Sequence, residues 1–281
     1  MYKIVSKEKI GPNIQSYEIF APEIAKNAQP GQFIMFRIND NAERVPLTIA
    51  HTNYQKGLVK IIFQETGKST KQLASLSEGD YIQDFVGPLG RPTEIKKYGT
   101  IVVVVGGVGV AEALPIIKAF KKIGNKIITI VGVKSKNLII LENELKKESD
   151  LLFFATNDGT YGVKGLVTDI LEKIINKEEI DMFYIIGPVL MMQAVAKFTK
   201  EKHIYTLASL NPIMLDGTGM CGACRVTIDN KIKFACVDGP EFDAHLVNWE
   251  ELISRLNSFK NLEEISMNKF EQKQECKCHR T

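Results

Sequence analysis

Along the first third of the chain, apolar and polar residues alternate in short runs broken by Gly, Pro and Asn. The runs I-Q-S-Y-E-I-F (14–20), Q-F-I-M-F-R-I (32–38), L-V-K-I-I-F-Q (58–64) and Y-I-Q-D-F-V-G-P (81–88) have the length of strands. Alternation within several of them gives one face to a core and one to water, which predicts a small antiparallel barrel. Pro30-Gly31 and Glu78-Gly79-Asp80 mark turns between strands. Near Lys96–Gly99 the pattern changes. Thr100–Val105 is a β-branched run of buried-strand character, and a helix-like stretch, Ala111–Ile123, follows it. The theme repeats as 127–133 then Glu142–Lys147, 151–156 then Gly165–Ile175, and 182–188 then Leu190–Lys200. Strands alternating with helices predict an open parallel α/β sheet. The last part offers a strand (204–210), a hairpin (226–235) turning at Asp229-Asn230, and a helix over Asn248–Leu256 with Trp249, Leu252 and Ile253 on one side. Beyond Lys260 the chain is strongly charged and reads as a tail.

These patterns divide the chain into an antiparallel β-barrel over residues 1–97, a parallel α/β nucleotide-binding domain over 98–210, a small C-terminal module over 211–258, and a charged tail over 259–281. A length of 281 residues fits this division, because one hydrophobic core rarely serves so long a chain. Hydrophobic content of 44% with 25% charged residues is that of a soluble globular protein. A net charge of +3 is too small to indicate a nucleic-acid partner. No apolar run nears the ~20 residues that cross a bilayer, and M-Y-K-I-V-S-K-E-K lacks the apolar core of a signal peptide. The expectation is a cytoplasmic protein that needs neither membrane nor nucleic acid. The five cysteines are odd in number and clustered, which argues for reduced thiols over a disulfide framework.

Three of them stand in the stretch L-D-G-T-G-M-C-G-A-C-R-V-T-I-D-N-K-I-K-F-A-C-V-D-G-P (215–240), as Cys221-x2-Cys224 and Cys236. Two thiolates on a Gly-rich turn, joined by a third returning from a hairpin, can hold one metal centre, and Asp216 is the nearest fourth donor. Asp216, Cys221, Cys224 and Cys236 could supply the four ligand positions of a [2Fe–2S] cluster. The competing readings are a structural zinc site, which usually carries a second Cys pair or histidines, and Asp216 as a simple turn cap. Cys276-x-Cys278 reads as a pair of incidental tail thiols.

Gly106-Gly107-Val108-Gly109 follows a buried strand and precedes a helix, a setting in which backbone N–H groups and a helix N-terminus receive a pyrophosphate. Asn157-Asp158 and Gly187-Pro188 fall at the C-terminal ends of later strands, where open α/β sheets bind ligands. In the barrel, Arg44-x-Pro46-Leu47-Thr48 offers a cation for a phosphate and a hydroxyl for a flavin edge. Gly67-Lys68-Ser69-Thr70 offers N–H groups, a cation and hydroxyls to a second phosphate, although each segment alone also reads as an ordinary polar turn.

Taken in this order, these motifs resemble the ferredoxin–NADP reductase superfamily over about residues 1–258. Within it the chain is similar to the small electron-transfer subunits typified by that of dihydroorotate dehydrogenase, and more so to the small subunits of NADH-dependent reduced ferredoxin:NADP oxidoreductases. The first group's pattern has cysteine where this chain has Asp216; the second has aspartate. The resemblance implies FAD on the barrel at Arg44, Pro46, Leu47 and Thr48, with Gly67, Lys68, Ser69 and Thr70 at its phosphates. It implies NAD(H) on the α/β domain at Gly106, Gly107, Val108 and Gly109, with Asn157, Asp158 and Gly187 nearby, and a [2Fe–2S] cluster on Asp216, Cys221, Cys224 and Cys236. It further implies a larger iron–sulfur flavoprotein as partner in a heterodimer or higher assembly, with ferredoxin served indirectly. Lys134-Ser135-Lys136 puts basic residues after the second α/β strand, so NADP(H) stays open beside NAD(H). Nothing resembles an independent substrate pocket with a paired acid and base.

Overall fold

The computed structural model describes residues 1–278, with side chains as far as residue 272. Strands β1 (Tyr2–Gly11), β2 (Ile14–Phe20), β3 (Phe33–Arg37), β4 (Val45–Asn53), β5 (Leu58–Gln64), β6 (Tyr81–Ile82) and β7 (Asp84–Leu89) form one antiparallel sheet. Its order, β6-β1-β2-β5-β4-β3-β7, places the consecutive strands β6 and β7 at its two ends, giving a nearly closed barrel. Two short helices, α1 (Pro22–Asn27) and α2 (Lys68–Ala74), lie in its connections.

Strand β3 couples the barrel to the rest of the chain. Ile34 and Phe36 point inward and pack with Tyr17, Ile61 and Phe63 in the barrel core. Phe33 and Met35, on the opposite face, belong to a second core shared with the α/β sheet and the C-terminal module. Both faces of the strand are covered, which is why Phe33–Phe36 carries no polar alternate.

The second sheet is built from β8 (Thr100–Gly106), β9 (Lys126–Val133), β10 (Leu151–Thr156), β11 (Val163–Lys164), β12 (Met182–Ile186) and β13 (Thr206–Ser209), all parallel. Helices α3 (Gly109–Lys122) and α4 (Glu142–Glu148) cover one face over Ile101, Val103 and Val105. Helices α5 (Val167–Ile175) and α6 (Val189–Glu201) cover the other over Val102 and Val104. The strand order β11-β10-β9-β8-β12-β13 turns about β8: successive strands run away on one side, then the chain returns to β8's other edge. The crevice at the ends of β8 and β12 is therefore a topological switch point, where sheets of this kind receive ligands.

The C-terminal module holds the hairpin β14 (Arg225–Ile228) and β15 (Lys231–Phe234), the short helix α7 (Ala235–Asp238), strand β16 (Glu241–Asp243) and helix α8 (Trp249–Asn257). The hairpin turns at Asp229 and Asn230, both left-handed (φ 49° and 59°), as a two-residue turn matched to strand twist requires. Asn248 caps α8 by accepting from the Glu251 N–H at 3.1 Å.

Two features add to the sequence expectation. Strand β16 joins β13 in antiparallel register (Leu207↔Asp243, Ser209↔Glu241), so the sheet is not wholly parallel and the expected boundary at 210/211 separates two hydrogen-bonded strands. The residues from Lys260 onward form a helix, α9 (Lys260–Cys278), where the charge pattern predicts a tail. That segment contains no Gly or Pro and is rich in Glu, Lys and Gln, all good helix formers. Lys71 of α2 contacts Glu271 of α9 at 2.6 Å. The side chains of Cys276 and Cys278 lie outside the described residues. Among the described residues, no helix is long and apolar enough to cross a membrane.

Candidate functional site

A cavity of about 430 Å³ opens where the three parts meet. The barrel contributes Pro46, Leu47 and Thr48 of β4, the sheet contributes Gly106–Gly109 and Gly187, and the C-terminal segment contributes Met214 and Pro240. Motifs from two different sheets thus face one space.

The glycines of that space do different work. A Cβ on Gly106 would lie 2.5 Å from Pro188 Cδ, and one on Gly187 would lie 2.8 Å from the Gly106 nitrogen. These two let the β8–α3 and β12–α6 turns press together. Gly107, with φ +56°, has no heavy atom within 4 Å of a would-be Cβ, so it faces the open cavity. Val108 and Gly109 begin α3 with no side-chain cap; the Val110 and Ala111 N–H groups turn back to the Gly107 and Val108 carbonyls at 3.5 and 2.9 Å, which leaves those of Val108 and Gly109 to receive an anion.

The remaining expected positions lie outside the cavity lining. Arg44, just before β4, stands 4.0 Å from Asp84, which Arg37 engages at 2.6 Å. In the 67–70 turn, the Thr70 hydroxyl accepts from the Thr66 and Gly67 N–H groups at 3.1 and 3.0 Å and donates to the Gly67 carbonyl. Thr70 is therefore committed to starting α2, and Ser69 is buried; Gly67 and Lys68 remain to meet a ligand. Asn157 and Asp158 sit exposed at the end of β10, two strands from β8. Asp158 accepts from the Thr160 hydroxyl and N–H, which hold its carboxyl below the usual range.

In the cysteine loop, Cys224 and Cys236 are buried with sulfurs 3.2 Å apart, and the Cys236 N–H reaches the Cys224 sulfur at 3.5 Å. Burial first, then the neighbouring Cys224, pushes the Cys236 thiol up to about 12. Cys221 is exposed. Asp216 closes a local turn, accepting from the Thr218 hydroxyl and from the Thr218 N–H at 3.0 Å; these bonds, and Arg44 nearby, hold its carboxyl below the usual range. Among the described residues, no three His, Cys, Asp or Glu side chains converge on one point. The donor chemistry nevertheless suits a metal cluster. Burial keeps these two thiols protonated on their own, but they stand in contact with a backbone N–H aimed at sulfur, and a coordinated metal would remove their protons outright.

Three polar residues escape a reading of the sequence alone. Glu112, in the first turn of α3, lines the cavity beside Thr48; burial raises its carboxyl above the ordinary range, and a hydrogen bond with Thr48 opposes the rise. Glu241 accepts from the Thr93 hydroxyl and the Tyr184 hydroxyl, each at 2.6 Å, and is likewise raised by burial. Tyr184 is pushed well above its usual value by burial and by Glu241. A signal for Glu112 does stand in the sequence, as one acid among the residues V-G-V-A-E-A-L (108–114) directly after the glycine turn. No local pattern brings Glu241 to Tyr184.

Residues 211–248, which hold Asp216 and all three cysteines, match a family model described as the iron–sulfur cluster binding domain of dihydroorotate dehydrogenase B. A Thermotoga maritima protein described as a homolog of the dihydroorotate dehydrogenase B (NAD(+)) electron transfer subunit is 45% identical, across 95% of each chain. The chain belongs to this family of electron-transfer subunits. The Desulforamulus reducens electron transfer subunit of dihydroorotate dehydrogenase B is 30% identical over 88% of this chain and 97% of its own. A solved structure from work on flavin-based electron bifurcation by the NADH-dependent reduced ferredoxin-NADP oxidoreductase superposes with a TM-score of 0.91, at 42% identity, covering 96% of this chain and 98% of that one. The flavohem-like FAD/NAD binding domain of a Vibrio cholerae nitric oxide dioxygenase shares the fold alone, with a TM-score of 0.62 at 17% identity over 72% of this chain and 93% of that one. Barrel and sheet together share the fold of these reductases, and family membership makes this subunit part of a larger oxidoreductase.

Proposed function

We propose that this subunit carries electrons between NAD(H), FAD and a [2Fe–2S] cluster, and exchanges them with a larger iron–sulfur flavoprotein in a bifurcating ferredoxin:NADP oxidoreductase. The observation that carries the reading is the shared cavity, in which the barrel's Thr48 and the sheet's Gly106–Gly109 meet residues next to the cysteine loop. A bound flavin would supply the conversion between two-electron hydride chemistry and one-electron transfer, which neither a nicotinamide nor a cluster performs alone.

In this reading the Thr48 hydroxyl orients the flavin edge, while Pro46 and Leu47 wall its ring. Arg44, Gly67 and Lys68 meet its phosphates. The Val108 and Gly109 N–H groups at the start of α3 receive the nucleotide pyrophosphate, with Gly187 closing the β12–α6 turn against Gly106 and Asn157 and Asp158 farther along the same sheet edge. Cys221, Cys224 and Cys236 hold the cluster, with Asp216 as fourth ligand. Aspartate is a harder donor than thiolate, so its presence alters the cluster potential. Support for the bifurcating assignment comes from the 42% identity to the oxidoreductase structure and from aspartate, not cysteine, at position 216.

A second reading, the electron-transfer subunit of an NAD-linked dihydroorotate dehydrogenase, is favoured by the relatives at 30% and 45% identity. Anaerobic purification from the native host, with flavin, iron and sulfide analysis and identification of the co-purifying chain, separates the two. A two-nucleotide flavoprotein partner supports the first and a pyrimidine-binding barrel the second. Zinc without iron or acid-labile sulfide overturns both.

A further inference from the structure

Among the residues lining the cavity, Glu112 alone has an ionisable side chain; the others are glycines, apolar residues and neutral polar ones. Neither the flavin nor the nucleotide contacts proposed for the site make use of it. It stands in the first turn of α3, three residues after Gly109, and lines the same cavity as Thr48 of β4. An acid placed there meets opposing influences. Burial disfavours its charge, while the Thr48 hydroxyl and the N-terminal end of α3 favour it.

The chemistry of the site requires a group of this kind. Oxidation of a nicotinamide by one-electron acceptors balances as NADH → NAD⁺ + H⁺ + 2 e⁻. The electrons leave through the iron–sulfur cluster and the proton does not, so one proton must be taken up inside the cavity at each turnover. The glycines, apolar side chains and neutral polar side chains of the lining are far weaker bases than a carboxylate.

We propose that the Glu112 carboxylate, which lines the cavity together with Thr48, is the acceptor of that proton in oxidation and its donor in the reverse direction. The other titratable groups near it are few. Tyr184 of β12, whose own value Glu112 helps to raise, donates its hydroxyl to Glu241 of β16, and Thr93 occupies the same carboxylate oxygen. Burial first, then Lys118 of α3 and Lys60 of β5, keeps the value of His51 of β4 low. None of these borders the cavity.

This inference rests on the flavin reading, and one experiment tells their failures apart. The subunit is purified with its partner, its flavin is quantified by absorbance, and redox-difference infrared spectra are recorded for wild type, Glu112→Gln, Glu112→Asp and Thr48→Val. The expected result is a protonated-carboxyl band that changes on reduction, disappears in Glu112→Gln, and moves in Glu112→Asp and Thr48→Val. Electron exit from NADH-reduced protein should slow about a hundredfold in Glu112→Gln, the usual worth of a placed acid–base group, and recover in part with Asp. Thr48→Val keeps the proposal testable if Glu112→Gln does not fold. A flavin-bearing complex whose carboxyl band is absent, or is indifferent to all three substitutions, overturns the role of Glu112. A complex without flavin overturns the parent reading as well.

Discussion

The two turns that wall the cavity predict opposite behaviour for two kinds of glycine. In Gly187→Ala, the new methyl meets Gly106 at 2.8 Å from its nitrogen and 2.9 Å from its Cα, with φ at +141°. Both contacts are backbone, so no rotamer change relieves them and the β8–α3 and β12–α6 turns must separate. Overpacking of this kind costs about 1–3 kcal/mol. The unfavourable backbone conformation adds about 1–2 kcal/mol, giving a loss of about 2–5 kcal/mol. In Gly107→Ala the methyl meets nothing within 4 Å and only the left-handed backbone (φ +56°) is penalised, so the loss is about 1 kcal/mol. Urea unfolding of the two variants measures the difference directly. The ligand response should run the other way: Gly107→Ala places its methyl in the nucleotide's space and weakens NADH binding out of proportion to its small stability loss. Equal destabilisation by both substitutions would falsify the account of the paired turns.

Glu241 binds a proton more tightly when folded, so its contribution is fully present below the unfolded value of about 4.5 and is lost as pH rises through the higher folded value. Glu241→Gln should therefore show a flatter decline of stability with rising pH, read from urea midpoints at several pH values. Tyr184→Phe removes one of that carboxylate's two hydroxyl donors and should cost about 1.5–3 kcal/mol, measured in the same way. At the cluster, Asp216→Cys and Asp216→Ala should change the paramagnetic resonance spectrum and potential; spectra and potentials unchanged in both would leave Asp216 as a turn cap. Lys71→Ala, which breaks the exposed contact with Glu271, should change stability by less than about 1 kcal/mol, and a larger loss would mean that α9 is held mainly by that pair.

Strands and helices are legible in the sequence wherever one periodicity persists. Ile14–Phe20 and Leu58–Gln64 begin and end where the alternation does, and Thr100–Val105 is followed by the glycine turn and helix expected of it. Strands β1 and β16 escape notice for different reasons. Polar and charged residues crowd β1 and its apolar signal is weak, whereas β16 is three residues long, too short for any period to show. At the site, Thr48 and Gly106–Gly109 can be named because each motif has its own local chemistry. That the Thr70 hydroxyl is spent on its own helix, or that Gly106 serves a neighbouring turn while Gly107 serves the cavity, depends on the folded backbone around them. The pairing of Glu241 with Tyr184 spans 57 residues and is set only when β16 docks on β13.

That docking also fixes how the protein can be divided. A chain cut at residue 210 would leave β13 as a bare sheet edge, its N–H and C=O groups unpaired over Leu207–Ser209, and exposed edges of that kind recruit other chains. The reverse piece would keep β16 with no strand to pair it. Grafting the cysteine module onto another reductase by a flexible linker would therefore yield two unfinished fragments, and a working transplant must carry β13 along with it.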